Sequence, residues 1–415
     1  MHKQIGKIGA TRHAFLFLII GLIASLLILE SLSAVVARVK GIEKGSWSDR
    51  HLYDPYRGHR LNPEFQNSED NLGLKIHSPD GFREDTRVEK VKPQGTFRII
   101  MMGGSALYGL GSAKPYPVHP SLKNNETIDA YLENAINREL HQQGRETKVE
   151  IINAAVTGYW TFQHLVYLNE SLYQYTPDLV VFLDGHNDFY ISRPKMNHWQ
   201  DYDYSSVHLT DSFNNRRFIF TLYTSVRVAA PYSYFITMLE KVLHLWWERL
   251  EAPPKDKSVV GIASLSPSFD DQYAQVAHNS FLRAYSQIQS LSRYYDFKVM
   301  FFLQPEIALE NPEVLSPQDK EIRSLTEASI EQSSPGAIAS MHRIRSLLPS
   351  LFKTHNLSEF HDIAQIGGSN LGSTQLYLDY CHLTPEGSQA VAERLLPFVL
   401  RSVLEAEETH RPSKG

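Results

Sequence analysis

Apolar and polar positions alternate on several different scales along this chain. Ala14 to Leu29 is an unbroken run without a charge, preceded by Lys3, Lys7 and Arg12, and no polar position recurs along it to give a helix a wet face. After Glu30, Ser31 to Ala37 stays small and mostly apolar, so the insertable segment reaches about 20 residues, the length of a spanning helix. This length favours a retained membrane anchor over 14–37 behind a short tail, 1–13. The rival is a cleaved signal peptide, since Val35 and Ala37 are small residues near a plausible cleavage position. Arg38, Lys40, Lys44 and Arg50 follow the run and blunt the charge asymmetry that sets orientation; a tail inside and the bulk outside is the expectation.

From Gly45 to Gln94 the pattern changes to polar and aromatic residues with no sustained helical or strand period, which predicts an ordered, extended entry segment, 38–94. Short apolar runs then appear at Thr96–Met102, Val149–Asn153, Asp178–Asp184 and Lys298–Gln304, with Leu357–Ile363 as a short fifth. Helical periods lie between them around Thr127–Gln142, Phe162–Tyr173 and Gln272–Tyr295, and another covers Pro385–Leu396. Strands separated by helices imply βαβ units, hence an α/β domain over 95–405: a mostly parallel five-stranded sheet covered on both faces, a three-layer α/β/α sandwich. The residues after Glu405, 406–415, read as a flexible tail.

One crossover is too long. More than a hundred residues separate Asp184 from Lys298, so an insertion sits at about 190–270. Tyr190 to Asn214 is polar and aromatic, Phe218 to Leu250 is apolar with Trp246 and Trp247 near its end, and Glu251 to Lys257 looks like the linker back. An extra helical layer packed on the domain is the expectation; an amphipathic lid or membrane-surface helix pair is the alternative.

Composition narrows the partners more than the fold. With 42% hydrophobic and 21% charged residues the chain is globular, and a net charge of −5 without a Lys/Arg block argues against a nucleic-acid surface. Cys381 is the single cysteine, so no intramolecular disulfide forms.

In parallel sheets functional groups gather at the carboxyl ends of the strands. The first apolar run ends in Gly103-Gly104-Ser105, where glycines allow a sharp turn that lifts a hydroxyl into a cleft. The second ends in the small-residue loop Asn153 to Tyr159, whose backbone amides can face a bound oxygen, and the third in Asp184-Gly185-His186-Asn187-Asp188. Near the C-terminus Asp379 stands three residues before His382, so the carboxylate can hold one ring nitrogen while the other faces a nucleophile. Each piece alone has a plain reading as turn, Asx turn, helix cap or half of a metal site. Their order along the chain is what brings them to one cleft.

These four pieces resemble the blocks of the SGNH, or GDSL-like, hydrolases, which supply Ser, Gly, Asn and His in this order. The resemblance spans roughly Thr96 to Leu396, leaves the insertion unmatched, and implies a flavodoxin-like α/β fold. Carried over, it implies Ser105 as nucleophile, His382 as base, Asp379 as its orienting acid, and an oxyanion hole from the N–H groups of Ser105 and Gly158 and the side chain of Asn187. The first block departs from the family form, reading Gly-Gly-Ser for Gly-Asp-Ser. The implied activity is a serine esterase acting through an acyl-enzyme without cofactor or metal; His186 and the pair His361-Asp362 are read as structural or substrate-facing. An O-acyltransferase with the same triad, or a non-catalytic glycan-binding module, remains open. An anchored chain suggests a small-molecule, glycan or lipid ester of the cell envelope, and the aromatic stretch Tyr190 to Tyr204 suits stacking on sugar rings as well as ordinary packing.

Overall fold

A computed structural model describes residues 2–40, 50–54, 56–65, 75–190, 226, 232–251, 271–333, 336–357, 359–368 and 373–410. Along the chain, α1 (His2–Lys40) is followed by β1 (His51–Asp54), β2 (Gly58–Leu61), β3 (Thr96–Gly103), the single turn α2 (Ser105–Tyr108), α3 (Ile128–Gln142) and β4 (Lys148–Asn153). Next come α4 (Thr161–Glu170), β5 (Leu179–Asp184), α5 (Tyr234–Glu251), α6 (Asp271–Tyr295) and β6 (Lys298–Leu303). The chain closes with α7 (Pro317–Ser333), α8 (Ala337–Thr354), β7 (Phe360–Asp362) and α9 (Pro385–His410).

These elements divide into two units, Met1–Trp47 with Leu209–Asp256, and Ser48–His208 with Lys257–Gly415. The first contains α1, whose Phe17–Lys40 portion is long and apolar enough to cross a membrane, and α5. The helical stretch expected to add a layer to the sheet therefore groups with the apolar N-terminal helix. The aromatic stretch Tyr190–Tyr204, apart from Tyr190 itself, and the linker after Glu251 lie outside the described residues.

In the second unit five strands form one all-parallel sheet in the order β4-β3-β5-β6-β7. The expected strands are all present, and β3 and β5 are apolar because both of their faces are covered: Ile99 to Met102 and Leu179 to Leu183 are buried without exception. Two helical layers do the covering, α3 packing with α9 and α4 with α6. Rings of Phe182, Phe281, Tyr285, Phe301 and Phe352 interlock between β5, α6, β6 and α8 at centroid separations of 5.2 to 5.8 Å. Truncating one of them, such as Phe301, to alanine costs about 3–5 kcal/mol.

Three features depart from the sequence pattern. The entry segment is not devoid of regular structure: β1 and β2 pair antiparallel, turned at Asp54, whose Oδ1 accepts from the N–H groups of Tyr56 and Arg57, and at Gly58 with φ +82°. Four-residue strands rich in His and Arg carry no apolar alternation to reveal them. Helices α7 and α8 precede the short β7. Finally, α9 continues through 406–410, where Glu407 pairs with Arg145, so the helix outlasts the expected tail boundary.

Candidate active site

Strands β3 and β5 are neighbours although β4 lies between them in the chain, so the winding reverses at β3 and a crevice opens beyond their carboxyl ends. Two glycines make that edge unusually tight. A Cβ on Gly103 would lie 2.4 Å from the Leu183 carbonyl oxygen, and one on Gly104 would lie 2.8 Å from Asn187 Nδ2. Ser105 then begins α2, which stops after one turn at Gly109 in the left-handed region, φ 75°. The Gly-Gly-Ser departure thus has a local reason: the missing side chain at Gly104 is what lets the Asn187 amide sit against the turn.

His382 Nε2 lies 2.8 Å from Ser105 Oγ, and His382 Nδ1 lies 2.7 Å from Asp379 Oδ2. The other carboxylate oxygen accepts from the backbone N–H groups of Cys381 and His382 at 3.0 and 2.9 Å. Burial alone would raise the Asp379 carboxyl, but the His382 ring and these N–H groups outweigh it and hold the carboxyl below its ordinary range. An ionised carboxylate only accepts, so Nδ1 carries the hydrogen and Nε2 is left to accept the Ser105 proton. The turn is closed by Leu378 N–H to His382 O and Thr384 N–H to Leu376 O. Thr384, not Asp379, caps α9, its Oγ1 accepting from Gly387 N–H ahead of Pro385 at the first helical position.

Behind this turn two acids hold the segment that leads into it. Asp319 accepts from the N–H groups of Leu376 and Tyr377, and Glu310 from Ile366 N–H, Gly367 N–H and the Tyr377 hydroxyl. Burial pushes Glu310 up, partly offset by the donors that surround it.

Asn187 is buried and donates from Nδ2 to Tyr159 O at 2.7 Å, leaving a second amide hydrogen beside Gly104 and Ser105. Gly158 is exposed at φ +79°, a conformation that excludes most side chains. Among the described residues neither the Ser105 nor the Gly158 N–H donates to a backbone carbonyl. The Ser105 and Gly158 N–H groups and the second Asn187 amide hydrogen are thus three donors on the loops that follow β3, β4 and β5.

The entry segment braces this side of the crevice. His59 Nε2 lies 2.9 Å from Thr157 O, His51 Nε2 lies 2.8 Å from Thr157 Oγ1, and the Tyr159 hydroxyl donates to His59 O. Arg83 is fully buried and donates to the carbonyls of Tyr108, Ile76 and Leu122, clamping the end of α2. His77 Nδ1 faces Asn62 O at 2.6 Å, so it must donate there and accept the Tyr108 hydroxyl on Nε2; burial pushes its pKa down to about 3 and keeps the ring neutral. Beneath, Asn153 Nδ2 bridges Leu107 O and Asp129 Oδ1, and burial pushes Asp129 up to about 6.

His186 hydrogen-bonds Glu306 at 2.5 Å and stacks on Tyr380, which in turn lies over His382. Donor atoms of His186, Glu306 and Cys381 lie within 4.8 Å of one another, as do those of Asp379, Cys381 and His382, but the imidazole–carboxylate hydrogen bonds already engage both histidines. His361 stacks on Phe302, and Asp362 pairs with Arg345, so the two do not converge. Sequence reasoning missed Arg83, Glu306, Glu310 and Asp319. Glu306 had a signal, since it follows the fourth apolar run as Ser105 follows the first.

No known family model and no curated protein sequence matches the chain. Solved structures similar to it include a carbohydrate acetylesterase from Sinorhizobium meliloti, at 13% identity and TM-score 0.37, covering 73% of this chain and 97% of that one. A catalytic mutant of an acetylxylan esterase from Geobacillus stearothermophilus gives 13% and 0.35 over 74% and 95%. A GDSL-like lipase from Bacteroides thetaiotaomicron gives 12% and 0.32 over 76% and 93%. At that distance no activity carries over, and the chemistry rests on the residues themselves.

Proposed function

We propose that the chain is a serine esterase of the SGNH type, with Ser105 as nucleophile, His382 as general base and Asp379 as the group that orients it. The observation that carries this reading is the unbroken relay from Asp379 Oδ2 through the His382 ring to Ser105 Oγ, at 2.7 and 2.8 Å, ending at a strand-to-helix turn beside unengaged amides. Ser105 Oγ attacks the ester carbonyl carbon as its proton passes to His382 Nε2. The N–H groups of Ser105 and Gly158 and the Asn187 amide receive the negative oxygen. Collapse breaks the bond to the leaving alcohol, which takes the proton from His382, and water repeats the sequence to release the acid. The apolar Phe17–Lys40 helix supports a retained anchor with the catalytic unit outside the cytoplasm, and hence an O-acyl ester of an envelope glycan or lipid as substrate.

The test is a fluorophosphonate probe followed by peptide mapping. The expected adduct is on the Ser105 peptide and is lost in Ser105→Ala and His382→Ala. Absence of an adduct on folded wild-type protein sinks the proposal in favour of a non-catalytic binding module. With an acetyl donor and an oligosaccharide acceptor, free acetate identifies the esterase and acetylated oligosaccharide the acyltransferase.

A further inference from the structure

The turn from Asp379 to His382 fixes the base to its acid but not to Asn187, which stands on the loop after β5. A buried carboxylate outside the triad reaches both. Glu306 follows β6 and has no part in the acyl-transfer steps. Its Oε1 lies 2.5 Å from Nδ1 of His186, the residue before Asn187. Its own N–H donates to Ala364 O at 3.2 Å, and the next N–H, of Ile307, donates to Tyr380 O at 3.0 Å inside the triad turn.

The rings complete the connection. His186 stacks on Tyr380 with centroids 5.0 Å apart and planes at 29°, and Tyr380 is tilted over His382 at 5.5 Å. Tyr116, 6.3 Å away, props the same ring, its hydroxyl 3.0 Å from Thr326 Oγ1 of α7. Burial alone would push His186 down, but Glu306 outweighs it and holds the ring above its ordinary range, while burial pushes the Glu306 carboxyl up. The pair therefore keeps a shared proton to a higher pH than an exposed histidine would. Apolar side chains would fill this space at lower electrostatic cost; what the pair adds is a fixed direction for the His186 ring.

We propose that Glu306 is a positioning residue: it orients His186 against Tyr380, and this contact holds the wall that carries His382 and the wall that carries Asn187 at reacting distance. The proposal rests on the esterase reading and adds to it a residue that touches no reacting atom.

The experiment uses the full chain in detergent, with p-nitrophenyl acetate as substrate and fluorophosphonate labelling of Ser105 in parallel. Glu306→Ala is expected to lower kcat roughly 10- to 10²-fold with KM within about twofold, the signature of misplacement and not of lost binding. Glu306→Gln, whose amide oxygen still accepts from Nδ1–H, is expected to recover kcat to within about threefold of wild type. Tyr380→Leu cuts the contact itself and should lower kcat by a similar factor, with little further loss when Glu306→Ala is added to it. Wild-type kcat in Glu306→Ala, a Glu306→Gln variant as slow as Glu306→Ala, or losses that multiply in the double variant each overturn the proposal. Tyr380 is half-buried and bears on the contact alone, so wild-type kcat in Tyr380→Leu overturns it even where Glu306→Ala does not fold. A wild-type chain that forms no fluorophosphonate adduct brings down the esterase reading and this proposal together; an adduct that forms as fast in Glu306→Ala as in wild type brings down this proposal alone.

Discussion

Asp379 and His382 are fastened by hydrogen bonds that close within four residues, whereas Ser105, Gly158 and Asn187 come from three separate loops braced by a segment that precedes them all. The first wall of the crevice is a local turn. The second exists only once β3 and β5 lie side by side and the β1–β2 hairpin has docked against the Thr157–Tyr159 loop. A local turn keeps its geometry when its surroundings loosen, while a composite wall inherits the strength of every remote contact that holds it.

The comparison is open to four perturbations. The largest is Asp379→Asn, which leaves the turn in place but favours the wrong His382 tautomer; kcat should fall about 10⁴-fold with little change in melting temperature. A variant that keeps most of its activity would show that the local wall orients nothing. Asn187→Ala removes one donor from the composite wall, and kcat should fall roughly 10²–10³-fold in ester hydrolysis. His59→Ala touches no reacting atom but withdraws the brace at Thr157 O; losing about 1 kcal/mol of hydrogen bonding corresponds to roughly a fivefold loss in kcat. Unchanged kinetics would show that the hairpin is ornamental to the Gly158 loop.

The smallest effect on activity, and the cleanest contrast, comes from pH. Asp379 is held below its ordinary range by His382 and nearby N–H groups against the cost of burial, whereas Asp129, under the composite wall, is pushed up to about 6 by burial. Between about pH 4 and 6 the unfolded chain gives up the Asp129 proton while the folded chain keeps it, so stability falls as pH rises through that window. The limiting slope is about 1.4 kcal/mol per pH unit for one proton. Glu84, also driven upward by burial and by Asp129, adds to the fall. Urea midpoints at pH 4, 5, 6 and 7 should therefore show a decline that Asp129→Asn flattens between 4 and 6. For Asp379 the sign is opposite: its contribution is present above the ordinary carboxylate pKa and is lost only as pH falls below it.

Legibility in the sequence follows the same division. The strands were readable because β3, β5 and β6 are apolar on both faces, and the Asp379–His382 wall because its contacts span three residues. The switch point was readable in part, since Gly104 is explicable only when Asn187 is seen 2.8 Å from where a side chain would go. The hairpin was not, because His51, His59 and Arg57 find their partners at Thr157, Gln163 and Glu170, about a hundred residues on, and no local period records such pairing. Glu310 and Asp319 escaped for the same reason: each acts on backbone some fifty-odd residues later.

The docked hairpin also decides where the chain can be severed from its apolar N-terminal helix. A soluble form, whether shed by a protease or made for crystallisation, has to begin before Arg50, because a chain started at the sheet, near residue 95, discards the rings that seat the Thr157 loop and the guanidinium that pins the end of α2. The stretch between that helix and the sheet is thus not a spacer to be trimmed; it sets the smallest fragment of this protein that can keep its crevice in shape.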